Sequence, residues 1–216
     1  MSRSPLTTVV LISGRGSNLK SLVEAQQAGQ LDSNITAVIS NRPEAAGLQF
    51  AAEAGIETIV VDHQDQPERE LYDQALIQAI DQHQPQLVVL AGFMRILTPT
   101  FVRHYSGRLI NIHPSLLPHF KGLHTHQQAL DAKATTHGAS VHYVTEELDG
   151  GPVFMQAQVP VEQSDNADSL AARVLVQEHR LYPAAVQLIA EERIQLVDDQ
   201  LYFDQTPLHA PIALDA

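Results

Sequence analysis

The chain has 216 residues, a length that suits one domain with a buried core and needs no disulfides for stability. Hydrophobic residues make up 44% and charged residues 18%, which is typical of a globular protein and argues against intrinsic disorder. Lys and Arg total 13 against 25 Asp and Glu, so the net charge of −12 disfavours nucleic acid as a partner, and the absence of cysteine excludes disulfides and a cysteine nucleophile.

The first half of the chain alternates short apolar runs with segments that carry apolar residues at helical spacing. Strands are predicted at 8–13, 36–40, 56–61 and 87–91. Helices are predicted at 17–28, 43–54 and 68–82. In the second of these helices Pro43 suits the first turn and Gly55 suits the end. Apolar strands between amphipathic helices indicate an α/β fold with a parallel sheet covered on both faces.

The second half is less regular. A short helix is predicted at 98–105, and strands are predicted at 108–113, 139–144 and 153–161. A long helix follows from 165 or 166 to 191, with Ser164 or Asp165 as its N-cap and a kink or break expected at Pro183. The runs 194–197 and 201–203 predict a terminal hairpin, and 206–216 is expected to be a loose tail.

The apolar runs are too short to cross a membrane. The longest, at 9–12 and 87–91, fall far below the roughly 20 residues that a spanning helix needs. The short polar N-terminus does not have the pattern of a signal peptide. We therefore expect a cytoplasmic protein without a membrane partner, and the choice between monomer and homodimer stays open.

The sequence Ser-Gly-Arg-Gly-Ser-Asn at 13–18 lies between the first predicted strand and helix. Glycines permit a sharp turn, and the N–H groups at a helix start bind anions. The third glycine of a dinucleotide fingerprint is replaced by Leu19, and no Gly-Lys-Ser/Thr follows. The motif suits a single phosphate monoester, and an ordinary strand–helix turn is the alternative.

Asn111 and His113 lie at the end of a predicted strand, before Pro114. Because side chains alternate along a strand, both residues face the same side, at the sheet edge where α/β proteins bind ligands. The amide can donate to an oxyanion, and the imidazole can transfer a proton near neutral pH. A structural turn with two hydrogen-bonding side chains is the alternative.

Asp149 precedes Gly150, Gly151 and Pro152, which form a rigid turn between two predicted strands. A carboxylate held there could orient His113 and favour its protonated form. An ordinary Asp-Gly turn is the alternative. The chain has 11 histidines, but none has the spacing of a known zinc motif, so no metal is expected.

Four stretches, taken in order, resemble the folate-dependent phosphoribosylglycinamide formyltransferases. They are 10–18, 90–97, 111–118 and 148–152, and the likeness runs from about residue 8 to about residue 192. It implies a Rossmann-like formyltransferase fold, with a mostly parallel twisted sheet, helices on both faces and a long C-terminal helix. A single domain is expected over 1–216. Its phosphate-binding half would span about 1–105, its folate and catalytic half about 106–192, and its terminal hairpin and tail 193–216.

The resemblance also implies the reaction: the amine of glycinamide ribonucleotide takes the formyl group of the co-substrate 10-formyltetrahydrofolate, in purine biosynthesis. Asn111 would steady the formyl oxygen, while His113, held protonated by Asp149, would donate a proton. Asp149 would also help relay protons through water. The residues implied for the ribonucleotide are Gly16, Ser17, Asn18 and Glu178. Those implied for the folate are Arg69, Met94, Arg95, Ile96, Leu97, Asn111, Thr145, Glu146, Glu147, Leu148 and Asp149. A cis peptide bond is expected at Leu117–Pro118.

Three other functions stay open at this stage. A sister formyltransferase would act on methionyl-tRNA or a sugar nucleotide, although a tRNA enzyme needs a basic surface. A formyltetrahydrofolate hydrolase would carry an additional N-terminal domain, whereas only about seven residues precede the first predicted strand. A folate- or phosphate-binding protein without catalysis would have no need of Asn111, His113 and Asp149.

Overall fold

The computed structural model describes residues 4–65 and 68–214. The chain forms two compact units, Met1–Ile110 and Asn111–Ala216, and the boundary lies inside one strand. The expected single domain stays a prediction. No helix among the described residues is long and apolar enough to cross a membrane.

The first unit alternates strands and helices as predicted. Its elements are β1 (Leu6–Ile12), α1 (Ser17–Gln27), β2 (Ser33–Ser40), α2 (Ala46–Glu53), β3 (Glu57–Val60), α3 (Arg69–Asp81), β4 (Leu87–Leu90) and α4 (Pro99–His104). The strands are ordered β4-β1-β2-β3, and every pairing between them is parallel. In β1 the run from Val9 to Ile12 is fully buried, because the strand has a neighbour on each side and apolar cover on both faces. Each such side chain stabilises the fold by about 1.5–3 kcal/mol.

The second unit contains strands of both orientations. Its elements are β5 (Leu109–His113), which begins at the end of the first unit, α5 (Thr125–Asp131), β6 (Thr136–Tyr143), β7 (Val153–Pro160), α6 (Ala167–Ala190), β8 (Ile194–Val197), β9 (Gln200–Phe203), β10 (Thr206–Pro207) and β11 (Ile212–Ala213). The strands are ordered β11-β7-β6-β5, with β6 and β7 antiparallel. The predicted terminal hairpin is confirmed, since β8 and β9 pair antiparallel and β10 extends their sheet.

The start of α2 differs from the prediction by three residues. Helix α2 begins at Ala46, and Pro43 lies in the preceding turn, where the N–H of Ala45 bonds to the carbonyl of Arg42. The N–H of Gly47 bonds to the carbonyl of Gly14, so a tertiary contact decides where this helix begins. Gly55 ends the helix region with φ +76° as expected.

Helix α6 is capped by Asn166, not by Ser164 or Asp165. Asn166 and Ser169 form a reciprocal capping box, whereas the Asp165 carboxylate accepts from the Arg173 guanidinium. The helix continues through Pro183, so a break there is excluded, while the alternative of a kink at Pro183 stays a prediction. Pro183 has no backbone N–H and cannot donate a helical hydrogen bond. The apolar face of α6, which includes Leu181 and Val186, is buried in the second unit, and this packing offsets the missing hydrogen bond.

Residues 206–214 are not a loose tail, and the part of that prediction that concerns residues 215 and 216 lies outside the described residues. Ile212 pairs with Met155 and Ala213 with Gln156, because β7 has a free edge that a parallel strand can join. Helix α5 was not predicted. It is a single short helix of seven residues that ends at Asp131, too short for apolar periodicity to reveal it.

Candidate active site

In the first unit, the turn before α1 is built around Gly16. Its φ of +72° lies in the left-handed region, and it is the N-cap of α1. A Cβ on Gly16 would lie 2.9 Å from the Cα of Gly47, so two backbones touch at this point. Only glycine adopts this left-handed conformation without strain and also leaves room for the Gly47 backbone. Ser17 and Asn18 follow in the first turn, where backbone N–H groups and the helix dipole favour an anion.

We expect Gly16→Ala to destabilise the protein by at least about 1–2 kcal/mol, the cost of a left-handed alanine, before the clash with Gly47 is added. Gly14→Ala is the matched control, because a Cβ there meets no atom within 4 Å. Urea unfolding of both variants tests this. Equal stabilities of the two variants would contradict the packing argument.

The run predicted to bind folate is held near the same turn. The Ser13 hydroxyl donates to Asn41 Oδ1 at 2.6 Å and accepts the Met94 N–H at 2.7 Å. Arg69 Nη2 donates to the Ile96 carbonyl at 2.7 Å, so these two predicted residues are in contact. Met94 and Ile96 are 61% and 63% exposed, which leaves an apolar surface available to a ligand.

Arg95 and Leu97, also predicted for folate, lie on the same run. The Arg95 guanidinium lies 4.3 Å from the centre of the Tyr72 ring in a cation–π contact. The run ends at Thr98, whose N–H donates to the buried Asp73 carboxylate at 2.6 Å. Residues 94–97 are therefore anchored at each end and along one side.

In the second unit, His113 and Asp149 lie close together although they are 36 positions apart in the chain. His113 Nδ1 lies 3.6 Å from Asp149 Oδ2, and the two side chains are 7% and 8% exposed. On the other side of the ring, His113 Nε2 lies 3.0 Å from the Phe120 carbonyl. Both ring nitrogens thus face oxygen acceptors, an arrangement suited to a protonated imidazole.

Asp149 is held by its backbone and by the segment 120–122. Its φ of +49° is a left-handed conformation, which is uncommon outside glycine and is often found at functional sites. The Gly122 N–H donates to Asp149 Oδ2 at 2.9 Å, and Lys121 pairs with Glu147 at 2.8 Å. One short segment therefore contacts both His113 and the loop that carries Asp149.

Asn111 contacts a residue that the sequence analysis did not select. Its Nδ2 lies 3.3 Å from His142 Nε2, and His142 Nε2 lies 3.9 Å from Asp149 Oδ1. Ser140, two residues earlier on β6, was also missed; its hydroxyl donates to the Ser115 carbonyl and accepts the Leu117 N–H. The sequence pattern could have identified both residues, because Ser140 and His142 alternate with apolar residues and share one face of a buried strand.

The remaining predicted residues are also in the second unit. Glu178 lies on α6 and is only 8% exposed. In the loop before β7, the Thr145 hydroxyl donates to the Glu147 carbonyl, Glu146 is exposed, and Leu148 is 55% exposed. The cis peptide bond at Leu117–Pro118 is confirmed. Within 4–65 and 68–214, no group of three or more His, Asp or Glu residues is arranged to hold a metal ion.

His137 and His142 give the folded state a pH dependence. Burial lowers the pKa of each to about 4, whereas in the unfolded chain it returns to about 6.5. Between these values the unfolded state binds two protons that the folded state does not, so stability falls as pH is lowered from 6.5 to 4. The slope is at most about 1.4 kcal/mol per pH unit for each histidine.

Urea unfolding at a series of pH values checks this expectation. A variant with both histidines replaced by asparagine should lose that part of the slope between pH 6.5 and 4. An unchanged slope in that variant would mean that other groups cause the pH dependence.

Comparison with known proteins decides the family. The formyl transferase family matches residues 6–186. The chain belongs to the formyl transferase family. This formyl transferase is 49% identical over 199 residues to the phosphoribosylglycinamide formyltransferase of Escherichia coli (strain K12). The matched region covers 92% of this chain and 94% of that protein.

Solved structures confirm the fold. The phosphoribosylglycinamide formyltransferase of Coxiella burnetii superposes on this formyl transferase with a TM-score of 0.94 and 46% identity, over 98% of this chain and 100% of that one. The α/β architecture, the mostly parallel sheet and the long C-terminal helix are therefore those of the family. A formyltetrahydrofolate deformylase from Pseudomonas syringae pv. tomato str. DC3000 also matches, with a TM-score of 0.85 and 29% identity over 92% of this chain and 66% of that one.

Proposed function

We propose that this enzyme transfers the formyl group of 10-formyltetrahydrofolate to the amine of glycinamide ribonucleotide. The products are formylglycinamide ribonucleotide and tetrahydrofolate, a step of de novo purine biosynthesis. The identity of 49% to the Escherichia coli enzyme along nearly the whole of both chains carries this proposal. The buried contact between His113 and Asp149 supports it, because a protein that only binds folate has no need of a paired acid and imidazole. We also propose that the enzyme is cytoplasmic.

The chemistry is an acyl transfer. The amine nitrogen attacks the formyl carbon, and the carbonyl electrons move to the oxygen, which becomes an oxyanion. Asn111 donates an amide N–H to that oxygen, and protonated His113 donates a second hydrogen bond. The bond from carbon to the folate nitrogen then breaks, and that nitrogen receives a proton while the attacking amine loses one. Asp149 keeps His113 oriented and protonated, and it helps to relay protons through water.

We assign the substrate-binding residues by the resemblance to the family. The ribonucleotide phosphate binds the backbone N–H groups at Gly16, Ser17 and Asn18, the start of an 11-residue helix. The Glu178 carboxylate, on α6, binds the ribose or amine. The folate-binding residues assigned in the first unit are Arg69 and the run 94–97, where exposed apolar side chains adjoin cationic groups. Those assigned in the second unit are residues 145–149.

The test is a formyl-transfer assay with purified protein and 10-formyltetrahydrofolate, in which tetrahydrofolate is followed by absorbance. One sample contains glycinamide ribonucleotide and the matched sample contains no acceptor. We expect turnover only with the ribonucleotide. Turnover without an acceptor would indicate a hydrolase, as the likeness to the deformylase allows. Folate binding without turnover would favour another acceptor or a protein that only binds folate.

A further inference from the structure

The His142 ring is held in one tautomer by its surroundings. The side chain is 2% exposed, on β6, the strand next to β5. His142 Nδ1 lies 3.0 Å from the Tyr143 carbonyl, which can only accept a hydrogen bond, so Nδ1 carries the hydrogen. Burial lowers the pKa of His142 to about 4, and at neutral pH the ring is therefore uncharged. Nε2 consequently presents a lone pair.

The charged groups around His142 do not reverse this state. Burial is the largest effect on the His142 pKa and lowers it. The hydrogen bond to the Tyr143 carbonyl and the Asp149 charge raise this pKa but do not outweigh burial, and His113 and Lys121 lower it further. Asp149 Oδ1 is 3.9 Å from Nε2, too far for a hydrogen bond. Among the described residues, Asn111 lies within hydrogen-bonding distance of Nε2.

The lone pair on His142 Nε2 determines which way the Asn111 amide faces. Asn111 Nδ2 lies 3.3 Å from Nε2 and donates one of its two hydrogens. The reversed amide would place Oδ1 against the lone pair, which is repulsive. The second hydrogen on Nδ2 is then available to another acceptor.

We propose that His142 is a positioning residue that holds the Asn111 amide with its donor toward the formyl oxygen. This inference rests on the proposed function, since the formyl oxygen is the acceptor. His142 acts through Asn111 and does not itself touch the substrate. A neutral imidazole suits this task, because a protonated ring would present a donor at Nε2 and would favour the reversed amide.

Two substitutions of His142 test the roles of its two ring nitrogens one at a time. In His142→Asn, the amide nitrogen replaces Nδ1 and keeps the donor to the Tyr143 carbonyl, but the acceptor for Asn111 is lost. In His142→Gln, the amide oxygen replaces Nε2 and keeps that acceptor. We expect His142→Asn to lower kcat by about 10- to 100-fold with KM little changed, as misplacement of a reacting group does. His142→Gln should recover most of this loss.

A double-mutant cycle shows whether His142 acts through Asn111. In an Asn111→Ala background, His142→Asn should lower kcat much less than it does in the wild type, because the amide that it orients is absent. Equal factors in both backgrounds would overturn the proposal, as would a kcat for His142→Gln no higher than that for His142→Asn. Thermal unfolding of every variant excludes a loss of fold as the cause.

A readout independent of activity completes the test. Long-range ¹H–¹⁵N NMR should show His142 protonated at Nδ1 and unprotonated at Nε2 throughout pH 6–8. His142→Asn should shift the Asn111 side-chain amide signals. A protonated Nε2, or Asn111 signals that do not move, would overturn the proposal. An absence of transferase activity in the wild-type protein would instead reject the proposed function. The NMR result would still show whether His142 and Asn111 are in contact.

Discussion

Replacing His113 by alanine is expected to lower kcat for formyl transfer by at least about 10²- to 10⁴-fold, the usual contribution of a positioned proton donor. The ring is almost fully buried between the Asp149 carboxylate and the Phe120 carbonyl, so no other side chain can occupy its place without rearrangement. Steady-state kinetics with both substrates varied measure the effect. KM for each substrate should change far less than kcat, because the interaction strengthens in the transition state.

His104→Ala provides a control for the loss of a histidine. His104 is 38% exposed at the end of α4 and pairs with Asp81, and it has no place in the proposed mechanism. We expect its kcat to equal that of the wild type. Near-normal turnover in His113→Ala, with thermal unfolding unchanged, would reject the assignment of His113 as proton donor.

Asn111→Ala is expected to lower kcat by about 10²- to 10³-fold, the cost of one missing oxyanion donor. The amide donates most strongly when the formyl oxygen has become an oxyanion, so the loss should fall on kcat and leave folate binding nearly intact. Folate affinity is measured by fluorescence titration of the same variant. Asn111→Asp has nearly the same shape, but it offers only acceptors when ionised, so we expect it to be no more active than the alanine variant.

A larger effect of Asn111→Ala on folate affinity than on kcat would contradict the role in transition-state stabilisation. It would make Asn111 a residue that binds the ground state of the substrate. Recovery of activity in Asn111→Asp would contradict the role as a donor. Either result would also mean that the formyl oxygen is not the acceptor toward which His142 is proposed to hold the Asn111 amide.

Much of the site could be predicted from local pattern. The placement of Asn111 and His113 on one face of β5 follows from the alternation of side chains along a strand, and Pro114 marks where that strand ends. The role of Gly16 follows from its place between a buried strand and a helix. These inferences need only neighbouring residues, because the period of a strand and the geometry of a helix start are local properties.

His142 shows where such reasoning stops. In the sequence it is one of 11 histidines, and the pattern of β6 shows only that it lies on a polar face of a buried strand. Its tautomer depends on the Tyr143 carbonyl, and its partner depends on β6 lying beside β5. No local pattern contains the order of strands in a sheet. The capping of α6 by Asn166 was likewise missed because Asp165 was already bound to Arg173.

The sequence by itself determined the α/β alternation, the glycine turn, the positions of Asn111 and His113, and the likeness to formyl transferases. Only the tertiary structure decided that Asp149 meets His113, that Gly47 packs against Gly16, and that the C-terminal segment joins β7. The physical reason is that periodicity and turn chemistry act over a few residues. Contacts between distant residues depend instead on how strands pair and on which backbone groups need a partner.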